Sequence, residues 1–367
     1  MPTSPPGSCT SELDSRFAVL AAVQALLWMR AVLGWGHSLV HTLPAVGHQA
    51  VPRVPHHARL PAARGLLAMS GAPEFALICN GKEAAVSVNS EALLKTFPRG
   101  PYTTARTHLT NSVFEFEFHV NRIAESTKLM VGAGTLAKPK ELATLVAPQL
   151  LREQYLDCTR KAVELYKKTH AATGEMKLTT LLTVDDDTHD HQLYVHVQAL
   201  GERPAKPVKI QIMGAPRENA AAKDSGWVSS RQGLWDARDE AVHEVVLCDQ
   251  DGHLFEGLSS NFFVLVRDED GGPVLYTARE GVLLGTVRDL ALKLCPELMI
   301  KVVEEPPSMA LLDKAEEVFI SSTSRWVLPV GEIVMPDKTT VPTRSTALTE
   351  ALYARLLDNV VANSTPL

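Results

Sequence analysis

Cysteine is scarce in this chain, and no two cysteines lie close together. The 367 residues include five cysteines, an odd number, and none of them forms a Cys-x-x-Cys pair. Disulfide frameworks and structural zinc sites both depend on paired or closely spaced cysteines. The sequence therefore indicates neither, and favours reduced, mostly buried thiols.

Excess positive charge and long apolar runs are missing as well. The net charge is −6, which argues against nonspecific binding to nucleic acid. The segment Phe17–Met29 is apolar, but Arg30 interrupts it before it reaches the length needed to span a bilayer. With 45% hydrophobic and 21% charged residues, the composition is typical of a globular chain, and the length favours two domains.

Acidic residues are absent between Ser15 and Pro73, a stretch that contains five arginines and five histidines. An acid-poor segment with arginines and a helical patch is typical of an organellar transit peptide. Alternatively, Met69 is the true start. We therefore treat residues 1–73 as a leader or a non-native extension, and expect domains at 74–213 and 214–367. A real leader predicts a chloroplast or mitochondrial protein, and a start at Met69 predicts a cytoplasmic one.

A hairpin with a buried acid stands at the centre of the remaining sequence. Val245–Cys248 and Phe262–Val266 have strand composition, and Asp251-Gly252 between them is a strong hairpin turn signal. Glu256 lies among apolar residues just after the turn. A carboxylate in such a place needs a partner that compensates for its desolvation.

The string from Glu256 to Phe263 resembles the signature of the class IV, or fold-type IV, pyridoxal-phosphate aminotransferases. This family includes branched-chain and D-amino-acid aminotransferases and aminodeoxychorismate lyase, and the resemblance is closest to a plant- and alga-type branch. It implies an α/β (α+β) fold of two domains, similar to D-amino-acid aminotransferase, and a homodimer. It also implies pyridoxal 5′-phosphate as cofactor, with an amino acid and a 2-oxo acid as substrates and neither nucleic acid nor membrane as a partner.

Lys223 is the best candidate for the lysine that binds the cofactor covalently. Such a lysine must be buried near positive charge so that its amine becomes neutral. Lys223 lies about one hundred residues after Arg122 and thirty-three before Glu256, and both intervals resemble those of the family. Lys206 and Lys209 lie in or beside a strand at the wrong offset. The resemblance implies that Lys223 also moves the proton at the substrate Cα, and that Glu256 pairs with the pyridine nitrogen.

Three further motifs indicate how the cofactor phosphate and the substrate would be held. A Gly-containing turn before a helix, Gly281–Asp289, aims free N–H groups at an anion. The string His119–Ile123 resembles the family's H-x-x-R-L segment, and Glu317–Val330 resembles its strand followed by a Thr-containing loop. By this resemblance the residues that anchor the phosphate are Arg122, Thr286, Val287 and Thr323. Ser324 would meet the substrate carboxylate, and Arg106 would either reach that carboxylate or form a structural ion pair.

Other patterns predict secondary structure only. The alternating Phe114–His119 predicts an edge strand, and residues from Asn121 onward predict a helix. A second helix is expected over Leu150–Lys168. The acidic loop Asp185–His191 is interpreted as a loop tip, without a metal ion, that could form the rim of a dimer. Further strands are expected at Leu178–Val184, Leu193–Leu200 and Val208–Met213.

Transamination is the function that the resemblance implies most directly. Two alternatives remain open: an aminodeoxychorismate-type lyase, which eliminates pyruvate, and a non-catalytic homologue that binds the cofactor. The second is kept open by Trp227-Val228 and Ser322, which depart from the family pattern. The first departure also leaves open which side chain meets the ring hydroxyl of the cofactor.

Overall fold

The fold was obtained as a computed structural model that describes residues 74–84, 88–170, 174–204 and 207–367. The segment 1–73, for which a leader or a non-native extension is predicted, lies outside these residues, and so does Lys206. No helix within the described ranges is both long enough and apolar enough to cross a membrane.

The described residues form sixteen strands, eight α-helices and two short 3₁₀ helices. The strands are β1 (Ala76–Cys79), β2 (Lys82–Glu83), β3 (Tyr102–His108), β4 (Ser112–Phe114), β5 (Met176–Val184), β6 (His191–Ala199), β7 (Val208–Ile212), β8 (Glu244–Cys248), β9 (Leu254–Gly257), β10 (Asn261–Arg267), β11 (Pro273–Tyr276), β12 (Lys301–Val303), β13 (Glu317–Ser322), β14 (Trp326–Val334), β15 (Thr340–Pro342) and β16 (Ser364–Pro366). The helices are α1 (Ser90–Thr96), α2 (Phe116–Gly132), α3 (Leu142–Leu145), α4 (Pro148–Thr169), α5 (Gly226–Ser230), α6 (Gln232–Ala237), α7 (Thr286–Leu294) and α8 (Ala347–Asn359), with 3₁₀ turns at Cys295–Leu298 and Met309–Lys314.

The first sheet has seven strands in the order β16-β4-β3-β5-β6-β1-β2. Its longest pairing joins β5 and β6 as an antiparallel hairpin across the loop Asp185–Asp190. Helices α2 and α4 pack on this sheet through a shared apolar core that includes Ile123, Tyr155 and Val195. The strand β16, at the end of the chain, returns to pair with β4.

The second sheet has nine strands in the order β12-β11-β10-β13-β14-β7-β8-β9, with β15 paired to β14. The strand β9 also pairs with β10 at Glu256↔Asn261, so the sheet curls back on itself. The turn between β8 and β9 contains Gly252 with a φ of 82°, as the Asp-Gly signal predicts. The strand that pairs with β8 across this turn is β9, whereas the predicted run Phe262–Val266 lies in β10, which does not pair with β8. This closure brings Glu256 beside the start of β10.

One predicted element is wrong. The alternating segment Phe114–His119 is not an edge strand, because β4 ends at Phe114 and α2 begins at Phe116. Glu115 between them has a left-handed φ of 51°, which turns the chain from one element into the other. Phe116, Val120 and Ile123 are all almost fully buried, so the helical repeat outweighs the short alternation.

The other elements agree with the sequence patterns. The helix expected over Leu150–Lys168 is confirmed as α4, and the three strands that follow are confirmed as β5, β6 and β7 with ends shifted by one or two residues. The domain boundary near residue 213 stays a prediction. Strand β7, which precedes that boundary in sequence, belongs to the second sheet, and β16 belongs to the first.

Candidate active site

A cavity of about 450 Å³ opens where β3 and β5 of the first sheet face the segments that follow β7, β9 and β13. Strand ends and helix starts supply most of its wall, which is the usual location of sites built on mixed sheets. Among the residues predicted to function, those that line this cavity are Arg122, Lys223, Glu256, Thr286, Val287, Thr323 and Ser324.

Lys223 is held by its backbone on both sides. Its carbonyl accepts a hydrogen bond from the Tyr102 amide (2.9 Å), and its own amide donates to Ser126 Oγ (3.1 Å). Its Nζ lies 4.8 Å from the centre of the Tyr102 ring. Burial, reinforced by three guanidinium groups, lowers the pKa of Lys223 well below its usual value. These groups belong to Arg122, Arg217 and Arg231. A lowered pKa favours the neutral, nucleophilic form of the amine.

Glu256 faces the same cavity and is 4% exposed. Arg217 Nε donates to its Oε1 (2.7 Å), and the Leu283 amide donates to its Oε2 (3.0 Å). Burial raises the pKa of Glu256, while the positive charge of Arg217 opposes that shift. The acid expected from its apolar surroundings therefore has a buried cationic partner.

Arg217 is a site residue that the sequence patterns do not identify, and it lies in the segment that follows β7. Its Nη2 also donates to the Ala220 carbonyl (2.7 Å), so one guanidinium ties the loop before Lys223 to Glu256. An arginine six residues before a candidate cofactor lysine was a usable signal. Its partner lies thirty-nine residues further along the chain, which no local pattern reveals.

The start of α7 forms the anion-binding end of the cavity. Gly285 caps this helix without a side-chain hydrogen bond, which leaves N–H groups of its first turn free. A Cβ at Gly285 would lie 2.1 Å from Asn261 Oδ1, so only glycine fits this approach. Thr286 Oγ1 and Ser321 Oγ are buried and have no hydrogen-bond partner among the described residues. Arg122, which donates to the Leu284 carbonyl, adds positive charge here.

The loop after β13 carries Thr323 and Ser324 into the cavity wall. Arg106 stands behind this loop and is not part of the wall. It pairs with Glu175, donates to the Thr323 carbonyl (3.2 Å) and stacks over Trp326. Of the two roles proposed for Arg106, this geometry corresponds to the structural ion pair.

A second buried ion pair, also missed from the sequence, holds the other side of this loop. Arg325 Nη2 donates to Glu244 Oε2 (2.7 Å), and that carboxylate also accepts from Ser259 and Ser260. Glu244 is fully buried. Burial alone would raise the pKa of Glu244. Arg325 and the two hydroxyls nevertheless hold that pKa below its usual range. The cavity thus combines a lysine of lowered pKa, a buried acid and a helix start suited to an anion, and two ion pairs hold the surrounding loops.

Comparison with known proteins links this sequence to a known family. The profile of the family described as amino-transferase class IV matches residues 100–333. A branched-chain-amino-acid aminotransferase of Salmonella typhimurium is 35% identical over 144 residues, which is 38% of this chain and 45% of that protein. The matched part thus spans about half the length of such curated relatives.

Solved structures show the same fold. A branched-chain aminotransferase from Thermoproteus uzoniensis, in complex with norvaline, aligns with a TM-score of 0.60 at 18% identity over 79% of this chain and 98% of that one. A second branched-chain amino acid aminotransferase, solved with pyridoxamine 5′-phosphate, aligns with a TM-score of 0.60 at 18% identity, over 78% of this chain and 94% of that one. The α/β class predicted from the sequence is confirmed.

Proposed function

Because the chain belongs to the class IV aminotransferases, we propose that it transfers an amino group between an amino acid and a 2-oxo acid with pyridoxal 5′-phosphate as cofactor. The observation that carries this proposal is the partly buried, cation-flanked amine of Lys223, which shares one cavity with the acid Glu256. A lysine is costly to bury among arginines, and a covalent role for its neutral amine explains the arrangement.

The residues present fit this cofactor. The start of α7 and Arg122 suit its phosphate, which demands several donors. The unpartnered hydroxyls of Thr286 and Ser321 would then gain the hydrogen bonds that they otherwise lack. When bound, the cofactor supplies an electron sink for the charge that develops at the substrate Cα.

We assign the following roles to the chain's own residues. Lys223 would hold the cofactor through its amine, and that amine would carry the proton that leaves the substrate Cα. Glu256 would face the ring nitrogen and hold its proton, and Arg217, which donates to Glu256 Oε1, orients that carboxylate and opposes the upward shift of its pKa. Backbone N–H groups of Thr286 and Val287, with Thr323, would hold the phosphate. The amide of Ser324 meets the substrate carboxylate, and Arg106 steadies the loop through the Thr323 carbonyl.

Assembly and compartment are further parts of the proposal. Family resemblance supports a homodimer in which a loop from one subunit completes the pocket of the other, with Asp185–His191 as the candidate loop. The acid-poor composition of residues 1–73 supports delivery to a chloroplast or mitochondrion if that leader is native. If the native start is Met69, the proposed location is the cytoplasm. Fusing residues 1–73 to a fluorescent protein tests the leader, because a functional leader places the reporter in an organelle.

A screen of amino donors against 2-oxoglutarate and pyruvate tests the activity. We expect product only when both an amino acid and a 2-oxo acid are present, with one new 2-oxo acid formed for each donor consumed. Release of pyruvate from aminodeoxychorismate without an acceptor would instead identify a lyase. A protein that binds the cofactor but turns over no donor would be the non-catalytic homologue, and the proposal would be wrong.

A further inference from the structure

The cavity is lined by more cations than its acids can neutralise. Six cationic side chains line it: Arg122, Lys177, Arg217, Lys223, Arg231 and Arg325. Two of these are already paired, Arg217 with Glu256 and Arg325 with Glu244. The remaining lining acids, Glu91 and Asp224, pair with Lys95 and Arg99, which are not part of the wall. The other four cations have no carboxylate within ion-pair distance in the described parts of the chain.

Two of those four already have a place in the proposed function, since Lys223 takes the cofactor aldehyde and Arg122 its phosphate. Lys177 and Arg231 do not. Lys177 lies on β5, and its Nζ donates a single hydrogen bond, to Ser90 Oγ at 2.8 Å. Arg231 follows α5 and donates to the Leu258 carbonyl. Both cations thus keep donors that no carboxylate satisfies.

Lys177 and Arg231 are close enough to influence each other. Burial lowers the pKa of Lys177, and the charge of Arg231 lowers it further, although Glu91 acts in the opposite direction. Two like charges in a partly buried cleft repel, because little water remains to screen them. An anion bound between them would remove that repulsion.

A third group points to a ligand at the same place. Thr179 lies two residues along β5 from Lys177 and therefore on the same face of the sheet. Its side chain lines the cavity and is fully buried, yet Oγ1 has no hydrogen-bond partner among the described residues. Thr104 on β3 stands opposite it in the pairing register. A buried hydroxyl without a partner is unfavourable unless a ligand accepts its proton.

We propose that Lys177, Arg231 and Thr179 form a subsite for the distal carboxylate of the substrate, so that the preferred amino donor is a dicarboxylic amino acid. This inference rests on the proposed function and specifies the substrate class of the same site. A carboxylate accepts bonds from an ammonium, a guanidinium and a hydroxyl together. An aliphatic side chain in the same position would remove water from both cations and return no bond.

Glutamate and glutamine provide the first test, because they have nearly the same shape and differ in charge. Both enantiomers of each should be assayed in the holoenzyme with pyruvate as acceptor. We expect kcat/KM for glutamate to exceed that for glutamine by about 10²-fold, the size of effect typical of charge-assisted hydrogen bonds. In Lys177→Met, kcat/KM for glutamate should fall by about 10- to 100-fold, while the value for glutamine should change by less than about threefold.

Binding of unreactive acids gives a readout that does not depend on turnover. Titration calorimetry should find that the holoenzyme binds glutarate at least about tenfold more tightly than valerate, which has one carboxylate. Lys177→Met should abolish this difference and Lys177→Arg should largely restore it. Arg231→Met should show the same selective loss as Lys177→Met. The matched control is Lys209→Met, because Lys209 also lies on a strand but pairs with Glu332 and does not line the cavity.

The possible outcomes separate the two levels of inference. If no amino acid reacts, whether acidic or neutral, the proposed function fails. Tighter binding of glutarate than of valerate would still support the subsite in that case. If glutamine or leucine reacts as well as glutamate, or if glutarate and valerate bind equally, the subsite assignment is wrong while transamination stands. An equal fall for glutamate and glutamine in Lys177→Met, with a melting temperature like that of the wild type, would also overturn it.

Discussion

Glu256 is the residue whose role the structure changes most. Gln is nearly isosteric with Glu, and that alone would predict little effect of Glu256→Gln on folding. The structure gives it a buried partner, Arg217, which would lose its counter-charge in such a variant. Removing one member of a buried pair is destabilising even when hydrogen bonding is partly kept.

We therefore expect Glu256→Gln to lower both turnover and stability. The rate should fall by about 10²-fold or more, on the order of 3 kcal/mol of transition-state stabilisation, because the ring nitrogen loses its charged partner. The free energy of unfolding should fall by about 1–3 kcal/mol. Glu317→Gln is the control, because Glu317 is buried against the start of α8 and lies outside the cavity. This variant should be less stable than the wild type but should have the same turnover rate. Normal transamination by Glu256→Gln would remove this residue from the mechanism.

His119 predicts a dependence of stability on pH. It is fully buried, with Nδ1 2.8 Å from Thr103 Oγ1, and burial lowers its pKa from 6.5 to about 3. Between these values the unfolded chain binds a proton that the folded chain does not, so stability falls as the pH decreases from about 6.5 toward about 3. In His119→Gln this contribution is absent. The free energy of unfolding, measured by urea denaturation at pH 7, 6 and 5, should therefore depend less steeply on pH than in the wild type, by up to about 1.4 kcal/mol per pH unit. Identical slopes in the two proteins would contradict the assignment.

Single residues were predictable where a local pattern carried them. Lys223 and Glu256 stood out through their neighbours and their spacing. Arg217, Glu244 and Arg325 did not, because each acts through a partner far away in sequence, thirty-nine residues for Arg217 and eighty-one for the Glu244–Arg325 pair. Arg106 was identifiable as a charged residue in a strand, but its contact with Glu175 is likewise a product of the fold.

At the scale of single elements, the proposed phosphate site depends on the start of helix α7. Gly285 at its start lies so close to Asn261 that a Cβ would be 2.1 Å from Oδ1. Asn261 in turn accepts from the Gly285 amide (3.1 Å) and donates to the Leu283 carbonyl (2.6 Å). Its side chain therefore fixes the approach of the chain to the helix.

Gly285→Ala should displace the Asn261 side chain and disturb the phosphate end of the cavity. We expect the dissociation constant of pyridoxal 5′-phosphate, measured by fluorescence titration of the apoprotein, to rise about tenfold or more. Gly132→Ala is the matched control, since a Cβ at Gly132 meets nothing within 4 Å, and its affinity should equal that of the wild type. An unchanged affinity in Gly285→Ala would show that this helix start does not bind the phosphate.

Elements were predictable from periodicity, and one failure shows where periodicity is ambiguous. Over six residues, the alternation of Phe114–His119 satisfies the strand pattern. The residues after this segment follow a helical repeat that already begins at Phe116. The left-handed conformation of Glu115 allows the helix to begin there. A short alternating segment followed directly by a helical repeat therefore supports either reading until the longer pattern is taken into account.

At the scale of the whole molecule, the order of the strands in the sheets could not be predicted from the sequence patterns. The contact of β9 with β10 and the return of β16 to β4 join segments that no local signal connects. The family resemblance supplied the fold class. The chain's own patterns supplied the strands but not the closure of the second sheet, which brings Glu256 beside the first residues of β10.

Subunit association is a prediction at this scale. We expect sedimentation equilibrium of the holoprotein to give twice the mass of one chain. The loop Asp185–His191 is the candidate rim element, although within its own chain it already forms the Lys140–Asp190 ion pair. Removing the acidic side chains of Asp186 and Asp187, both exposed, should then weaken substrate binding more than folding. A monomer with full activity would refute the dimer.

Borohydride reduction followed by peptide mapping shows whether Lys223 binds the cofactor covalently. The purified protein should be yellow, and reduction should bleach it and leave the cofactor attached to the peptide that contains Lys223. Lys223→Ala should be colourless and acquire no label. A label on Lys177, Lys206 or Lys209, or a wild-type protein that takes no label when supplied with pyridoxal 5′-phosphate, would contradict the account.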